Sequence, residues 1–308
     1  MEKQEEFDAE DHVVELGHAA GHAVHELVEA GDEKEPDGDE HGGLKAIGGG
    51  AGELAGFGEV PGIKDAAEEG DGGTDVEEAD EVSNGIDHFS FYSTMKGMIH
   101  EILVVGALQC NCSILGDEVT REAIVVDPGD DITEILAIVA KHQLTVKMIV
   151  ITHAHIDHIG GAAKLKAITQ APVIMNPKDQ ELYDAMSVQA GWLGMETPEQ
   201  TTIDTPAKDG DTLRFGDYRV HVLHTPGHTE GSTSLYIPAE KTLIAGDTLF
   251  RDSIGRTDLP GGDGRKILSS IKTKLLVLPE DTEVICGHGP STTIGREAKR
   301  NPHLRGLS

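Results

Sequence analysis

Between Thr152 and Gly161 the chain reads Thr-His-Ala-His-Ile-Asp-His-Ile-Gly-Gly, placing three histidines and one carboxylate within six residues. Imidazole nitrogens and carboxylate oxygens are donors that zinc and similar divalent ions take, so a metal site is the natural reading. The bland alternative, four polar residues crowding a solvated loop, is disfavoured by those ligand preferences. Just ahead, Val146–Ile151 is a short apolar run rich in β-branched residues, the pattern of a buried strand. Alternate residues of an extended chain share a face, so His153 and His155 can address one ion. A turn into a helix near Gly160 would redirect Asp157 and His158 toward a second ion beside the first.

Later stretches supply matching donors, each straight after an apolar strand. His228 follows Tyr218–Leu223 in the run His224-Thr225-Pro226-Gly227-His228, and Asp247 follows Thr242–Ala245 in Gly246-Asp247-Thr248. His288 follows Glu283–Cys286 in Gly287-His288-Gly289-Pro290. Strand-end residues collect at one edge of a sheet sandwich. His153, His155 and His228 would give one ion three nitrogens; Asp157, His158 and His288 would serve a second, with Asp247 able to bridge the two. Two ions about 3.5–4 Å apart share a hydroxide and polarise an electrophile, which is metal-assisted hydrolysis without a Ser or Cys nucleophile.

The elements that must position these donors are legible in outline. Strands are expected at Ile99–Val105, Asn111–Leu115 and Glu122–Val126, followed by a helix over Asp131–His142. After the metal loop come a helix at Ala162–Ile168, a strand at Ala171–Met175 and a helix opening at Asn176-Pro177, a capping residue followed by proline. Thr212–Phe215 and Tyr218–Leu223 read as a hairpin closed by Gly216-Asp217, and Ser232–Ile237 with Thr242–Ala245 as another. Arg265–Leu276 looks helical. Residues 187–206 look irregular and hold the only tryptophan, Trp192, serving either as a lid or as a surface loop whose Trp caps the core. His224 is expected to hydrogen-bond a metal ligand rather than to bind metal. Cys286 is read as core, and Cys110 and Cys112 as buried strand thiols.

Charge divides the 308 residues unevenly. Residues 1–90 carry 27 acidic against 4 basic side chains, leaving 28 against 21 for the remainder of a chain with formal net charge -30. Residues 1–92 therefore read as an acidic, low-complexity, largely disordered extension, and residues 98–308 as the folded domain. A helix at 9–30 is conceivable, with His18, His22 and His25 at helical spacing, but no cysteine or clustered carboxylate joins them. Acidity argues against binding nucleic-acid backbone or anionic membrane. The extension could engage a basic partner, although a solubilising tail is the simpler reading. Three cysteines, no export signal and no membrane-length apolar run point to a soluble protein of a reducing cytoplasm.

The His153–His158 loop, the His228 corner, Gly246-Asp247 and Cys286-Gly287-His288-Gly289, in this order over about residues 98–295, resemble the metallo-β-lactamase superfamily. The resemblance implies an α/β (α+β) fold, an αββα sandwich of two mixed β-sheets, with metal ligands at His153, His155, Asp157, His158, His228, Asp247 and His288. Asp247 stands where the most familiar zinc β-lactamases have cysteine, which speaks against antibiotic hydrolysis. Gly246–Gly262 is most similar to the glyoxalase II group, particularly its short bacterial form. That implies a hydrolase of a small-molecule thioester such as S-lactoylglutathione, attacked by a hydroxide bridging two divalent ions. Zinc comes first among these, with iron or manganese also compatible with the donors. Asp157 would be catalytic as well as a ligand. The chain ends at Ser308 with no room for the helical domain that grips glutathione in longer members; Arg256 matches a basic glutathione-binding position, but the tyrosine usual after it is absent. The rival readings are a persulfide dioxygenase-like enzyme with one iron, a lactone hydrolase, and an acidic interaction module on an inactive scaffold.

Overall fold

The computed structural model describes residues 97–306; the acidic extension expected over 1–92, and the helix at 9–30 within it, lie outside those residues. The first half builds one sheet. β1 (Met98–Val105), β2 (Cys110–Asp117) and β3 (Glu122–Val126) pair antiparallel. β4 (Thr145–Val150), β5 (Val173–Met175) and β6 (Thr205–Pro206) then add in parallel, in the spatial order β1-β2-β3-β4-β5-β6. Parallel neighbours need crossovers. The one between β3 and β4 is α1 (Ile132–Lys141), and between β4 and β5 run α2 (Ile156–Ile159) and α3 (Ala162–Thr169).

The second half builds another sheet. β7 (Thr212–Phe215), β8 (Tyr218–His224), β9 (Thr233–Ile237) and β10 (Thr242–Gly246) form an antiparallel meander. β13 (Glu283–Cys286) lies parallel to β10 and carries the short β14 (Thr292–Thr293) on its far side. Both sheets are therefore mixed. Successive strand residues divide between layers, as the two-residue period demands. Leu115, Ile124, Val126 and Val150 pack with Phe215, Val222, Leu235 and Ile285 between the sheets. Their neighbours Ile114, Val125 and Ile149 face a separate cluster containing Ile135, Leu165 and Met186 from the helices. On the outer face of the second sheet, Leu243, Ala245 and Val284 meet Ile267 of α6 (Gly264–Ser270) and Ile294 of α7 (Ile294–Arg300). Four layers result, helix on sheet on sheet on helix, as the resemblance implied. The central strands are apolar on both faces because both faces are covered, and truncating one such side chain to alanine costs about 2–5 kcal/mol.

Several local expectations need correction. The helix after the metal loop starts at Ile156 rather than near Gly160, so Asp157 and His158 sit in its first turn. Within the segment read as irregular, Met186–Leu193 is a helix, α5, following α4 (Gln180–Asp184). Its sequence has no amphipathic period, and the buried positions, Met186, Gln189 and Ala190, include a glutamine. Trp192 is 62% exposed and does not cap the core. The opening at Asn176-Pro177 is a 3-10 turn, Pro177–Asp179, with the Asn176 side chain accepting from the Lys178 N–H. The small hairpin of β11 (Leu249–Phe250) and β12 (Ser253–Ile254), together with α7, was not anticipated.

The ends of the two sheets are clasped by Asp117, which is 3% exposed. One carboxylate oxygen accepts the N–H groups of Val119 (2.7 Å) and Thr120 (3.0 Å), and the other accepts that of Asp217 (2.8 Å) in the β7–β8 turn. Gly216 in that turn has φ +52°, and a Cβ there would lie 2.1 Å from the Asp117 carboxylate, so only glycine fits. Burial works to raise the Asp117 carboxyl, yet the N–H donors of Asp217, Thr120 and Val119 and the charge of Arg121 carry it below the ordinary carboxylate range. Asp117→Asn is therefore expected to destabilise the fold by about 1.5–3 kcal/mol at pH 7, read by urea unfolding. A folded pKa below the unfolded one stabilises fully above the unfolded value of about 3.9 and is lost as pH falls through the folded value, so the gap between wild type and variant should close below about pH 4.

Candidate metal centre

β4 ends at Val150 and delivers Thr152 and His153 to the sheet edge. Thr152 is fixed by Asp127, at the end of β3: its N–H donates to Oδ1 (2.7 Å) and its hydroxyl to Oδ2 (2.7 Å). With its single proton spent there, the Thr152 hydroxyl accepts from His153 Nδ1 at 3.0 Å. His153 Nε2 is then the bare nitrogen. His228 is set the same way, because its Nδ1 donates to the Arg256 carbonyl at 2.8 Å, leaving Nε2 bare. Both bare nitrogens lie against His155 Nδ1, at 3.0 Å from His153 Nε2 and 2.9 Å from His228 Nε2. A neutral His155 offers them one proton at most.

Protonation does not relieve this crowding. Burial, then the neighbouring imidazoles, hold His153 well below the usual histidine value and take His155 down to about 3. Burial also lowers His228, although Asp247 and the Arg256 carbonyl pull the other way. Three neutral nitrogens facing one point are the donor set of a divalent cation.

The second group differs in charge. His158 Nδ1 donates to Asp127 Oδ2 at 2.9 Å, and its Nε2 lies 3.3 Å from His288 Nε2. His288 is oriented by the Gln109 carbonyl, which accepts from Nδ1 at 3.1 Å, and its Nε2 is 3.1 Å from Asp157 Oδ2. Burial resists charge on His158, but Cys110, Asp247 and Asp127 outweigh it and raise the imidazole. His288 is raised too, against burial, by Asp157 and Asp247. Burial would raise Asp157, but the imidazoles of His158 and His288 hold its carboxyl well below the ordinary range.

Asp247, in the turn after β10, stands between the groups. Its Oδ1 is 3.5 Å from His158 Nε2, and its Oδ2 is 3.5 Å from His228 Nε2 and 3.7 Å from His288 Nε2. Oδ1 is buried without any hydrogen-bond partner among the described residues. A buried carboxylate set between the two imidazole groups, with one oxygen left without a hydrogen-bond partner among the described residues, is a donor set that fits divalent metal ions.

All seven predicted metal residues thus converge, in the overlapping groups His153–His155–His228, His153–His158–Asp247 and Asp157–His158–His288. Arg256 stands differently: its guanidinium is paired with both carboxylate oxygens of Asp258 at 2.8 Å on the exposed surface, while its carbonyl orients His228. His224 hydrogen-bonds the Glu230 carbonyl rather than a ligand. Cys112 and Cys286 are buried as expected; Cys110 is buried too, but its Sγ lies 3.5 Å from His158 Nδ1, and burial pushes its thiol up to about 11. Sequence reasoning missed Asp127, Asp179, Gln189 and Asn111. Asp127 shows the pattern that marked the candidate donors, an acid at the end of an apolar strand before Pro-Gly, and could have been found. Gln189 binds the metal loop from α5, accepting from Ile156 N–H (3.0 Å) and donating to the Ala154 carbonyl (3.0 Å), with no local signal. Asn111 donates to the Cys286 and Gly289 carbonyls, both at 2.9 Å, and so steadies the His288 turn.

The profile of the metallo-beta-lactamase superfamily matches residues 105–288, which spans every one of these donors. The chain belongs to the metallo-beta-lactamase superfamily. It is 45% identical over 208 residues to an uncharacterised protein of Aquifex aeolicus, covering 67% of this chain and 96% of that one. It is 36% identical over 210 residues to the hydroxyacylglutathione hydrolase GloC of Haemophilus influenzae, covering 68% and 99%. Among solved structures it resembles the BLEG-1 B3 metallo-beta-lactamase (38% identity, TM-score 0.64, 68% of this chain and all of that one). It also resembles TTHA1623 in a di-iron-bound form (37%, 0.61, 66% and 100%) and ETHE1 of Myxococcus xanthus (29%, 0.58, 68% and 85%).

The glycine after β13 tests the geometry. A Cβ on Gly287 would lie 2.1 Å from Asp247 Oδ1 and 3.0 Å from His158 Cε1, so Gly287→Ala must displace the central carboxylate. That variant is expected to lose bound metal by elemental analysis while keeping its circular dichroism. Gly191→Ala, at a helical site with no atom of the described residues within 4 Å of an added Cβ, should retain wild-type metal.

Proposed function

We propose that this chain is a metal-dependent hydrolase of a small-molecule thioester such as S-lactoylglutathione, working with two divalent ions. The observation that carries the two-ion reading is Asp247, whose Oδ2 lies between His228 of one group and His288 of the other and whose buried Oδ1, beside His158, has no hydrogen-bond partner among the described residues. His153, His155 and His228 would hold one ion, and Asp157, His158 and His288 the other, with Asp247 common to both. Bound divalent ions lower the pKa of water to near neutrality and polarise a carbonyl. The remaining work falls to the chain. Asp157, whose Oδ2 lies 3.1 Å from His288 Nε2, is placed to orient the attacking water by accepting its hydrogen bond. Asp127 fixes His158 and, through Thr152, His153, so the donors need not reorganise as charge develops.

Thioester as substrate is supported by the GloC relative, whose alignment covers nearly its whole length. The di-iron TTHA1623 structure supports iron beside zinc as the resident metal, with manganese also compatible. Arg256 is the candidate for the thiol moiety's negative charge; its exposed pair with Asp258 is of a kind that costs little to open. Among the described residues no helix is long and apolar enough to cross a membrane, and three free cysteines fit our reading of a cytoplasmic enzyme.

The deciding measurement is hydrolysis of lactoylglutathione, a coenzyme A thioester, a lactone and a β-lactam, with oxygen uptake on glutathione persulfide and metals counted on the same sample. Thioester turnover with close to two metal ions per chain is expected. Asp247→Ala should lose metal, His155→Ala should lose the ion of its own group, and each should lose more than about 100-fold in rate, beyond the cost of removing an outer partner of a ligand. A metal-free, fully active Asp247→Ala protein would overturn the proposal. One iron per chain with persulfide-dependent oxygen consumption would move the assignment to the dioxygenase reading.

A further inference from the structure

We infer that Asp179 is a positioning residue that sets the spacing between the loops carrying His153, His155 and His228, and thereby controls how tightly those three hold their ion without controlling the other group. Asp179 ends the 3-10 turn before α4 and is 1% exposed. Its Oδ2 accepts the Ala154 N–H at 3.0 Å and the Thr229 hydroxyl at 2.8 Å, and its Oδ1 accepts the Gly231 N–H at 2.6 Å. Ala154 lies between His153 and His155, and Thr229 directly follows His228, so one carboxylate ties both loops at the residues next to the donors.

The polarity of the tie is determined. The carboxylate has no proton to give, so the Thr229 hydroxyl donates to Asp179, and Ser232 Oγ, which accepts the Thr229 N–H at 3.0 Å, is left to donate to Thr229 Oγ1 at 2.8 Å. Three donors and no acceptor face the carboxylate. An asparagine here would turn an N–H against a donor and open the clasp without changing volume. The approach is also close: a Cβ on Gly231 would lie 2.5 Å from Asp179 Cγ. The second group is anchored elsewhere, His158 by Asp127, His288 by the Gln109 carbonyl and the His288 turn by Asn111. Asp179 donates to or accepts from none of these.

This inference rests on the proposed metal reading only in that the histidines hold an ion. Cobalt(II) titration of the full chain tests it, with each donor group isolated in turn. His288→Ala leaves the three-histidine group as the complete set, and His155→Ala leaves the other. Asp179→Asn is expected to weaken cobalt binding about 10–100-fold in the His288→Ala background and to leave it unchanged in the His155→Ala background. A merely structural residue would loosen both alike. Thr229→Val should weaken the same group in the same direction, and Thr229→Ser, which keeps the hydroxyl, should restore wild-type affinity; this pair decides the question if Asp179→Asn does not fold. Equal weakening in both backgrounds, or none in the first, overturns the inference while leaving the metal reading intact. A wild-type chain that binds no cobalt overturns both.

Discussion

Two imidazole nitrogens held 2.9–3.0 Å from a third, with one proton at most among the three, form an arrangement that a folded protein does not adopt for its own stability. Burial removes the remedy of charging the rings, since His153 and His228 are both all but inaccessible. Most buried histidines satisfy both nitrogens within the protein. Here His153 and His228 each spend Nδ1 on a protein acceptor and turn Nε2 toward the same spot. The rest of the molecule can be understood as the apparatus that keeps these lone pairs facing one another.

That apparatus works through strand ends and close approaches. β3, β4, β10 and β13 run so that Asp127, His153, Asp247 and His288 leave a common edge within a few residues of the last ladder hydrogen bonds. Positioning from strands is tighter than positioning from free loops, because the backbone behind each donor is already paired on both sides. Where two turns must touch, side chains are absent: Gly287 packs on Asp247 and Gly129 on the Asp157 carbonyl, each closer than any Cβ allows. Carboxylates then lock tautomers and loops. Asp127 serves Thr152 and His158, and Asp179 serves the segments on either side of His155 and His228.

Much of this is legible in the chain because strand-end donors announce themselves. An apolar run that stops at His or Asp signals both a buried strand and a candidate donor, and this pattern with the His153–His158 loop picked out seven residues that the structure brings together, while passing over Asp127. The same logic fails for Asp179 and Gln189. Their partners are backbone N–H and C=O groups on segments far away in sequence, and nothing in the local run of residues records such a partner. It fails also for α5, whose sequence Met-Ser-Val-Gln-Ala-Gly-Trp-Leu has no helical stripe. That helix is held by the Gln189 side chain reaching Ala154, Ile156 and Leu182, a tertiary bond overriding weak local preference.

The parts that the sequence pattern misjudged are the parts that border the open surface near the donors. A cavity of about 260 Å3 lies between α5 and the Thr229–Glu230 turn, with Asp179 and Gln189 at its floor and Trp192 at its rim. Another of about 450 Å3 lies between Asp157 and the segment following α5. Donor geometry tolerates little change, since each ligand is fixed by a partner that is itself buried. The exposed face of α5, with Val188, Trp192 and Leu193 open to solvent, answers to no such network and can change without disturbing the metal edge. A single donor set can therefore be kept while the surface beside it is rebuilt, which is how one superfamily can include relatives named as a hydroxyacylglutathione hydrolase and as a β-lactamase at almost the same identity to this chain.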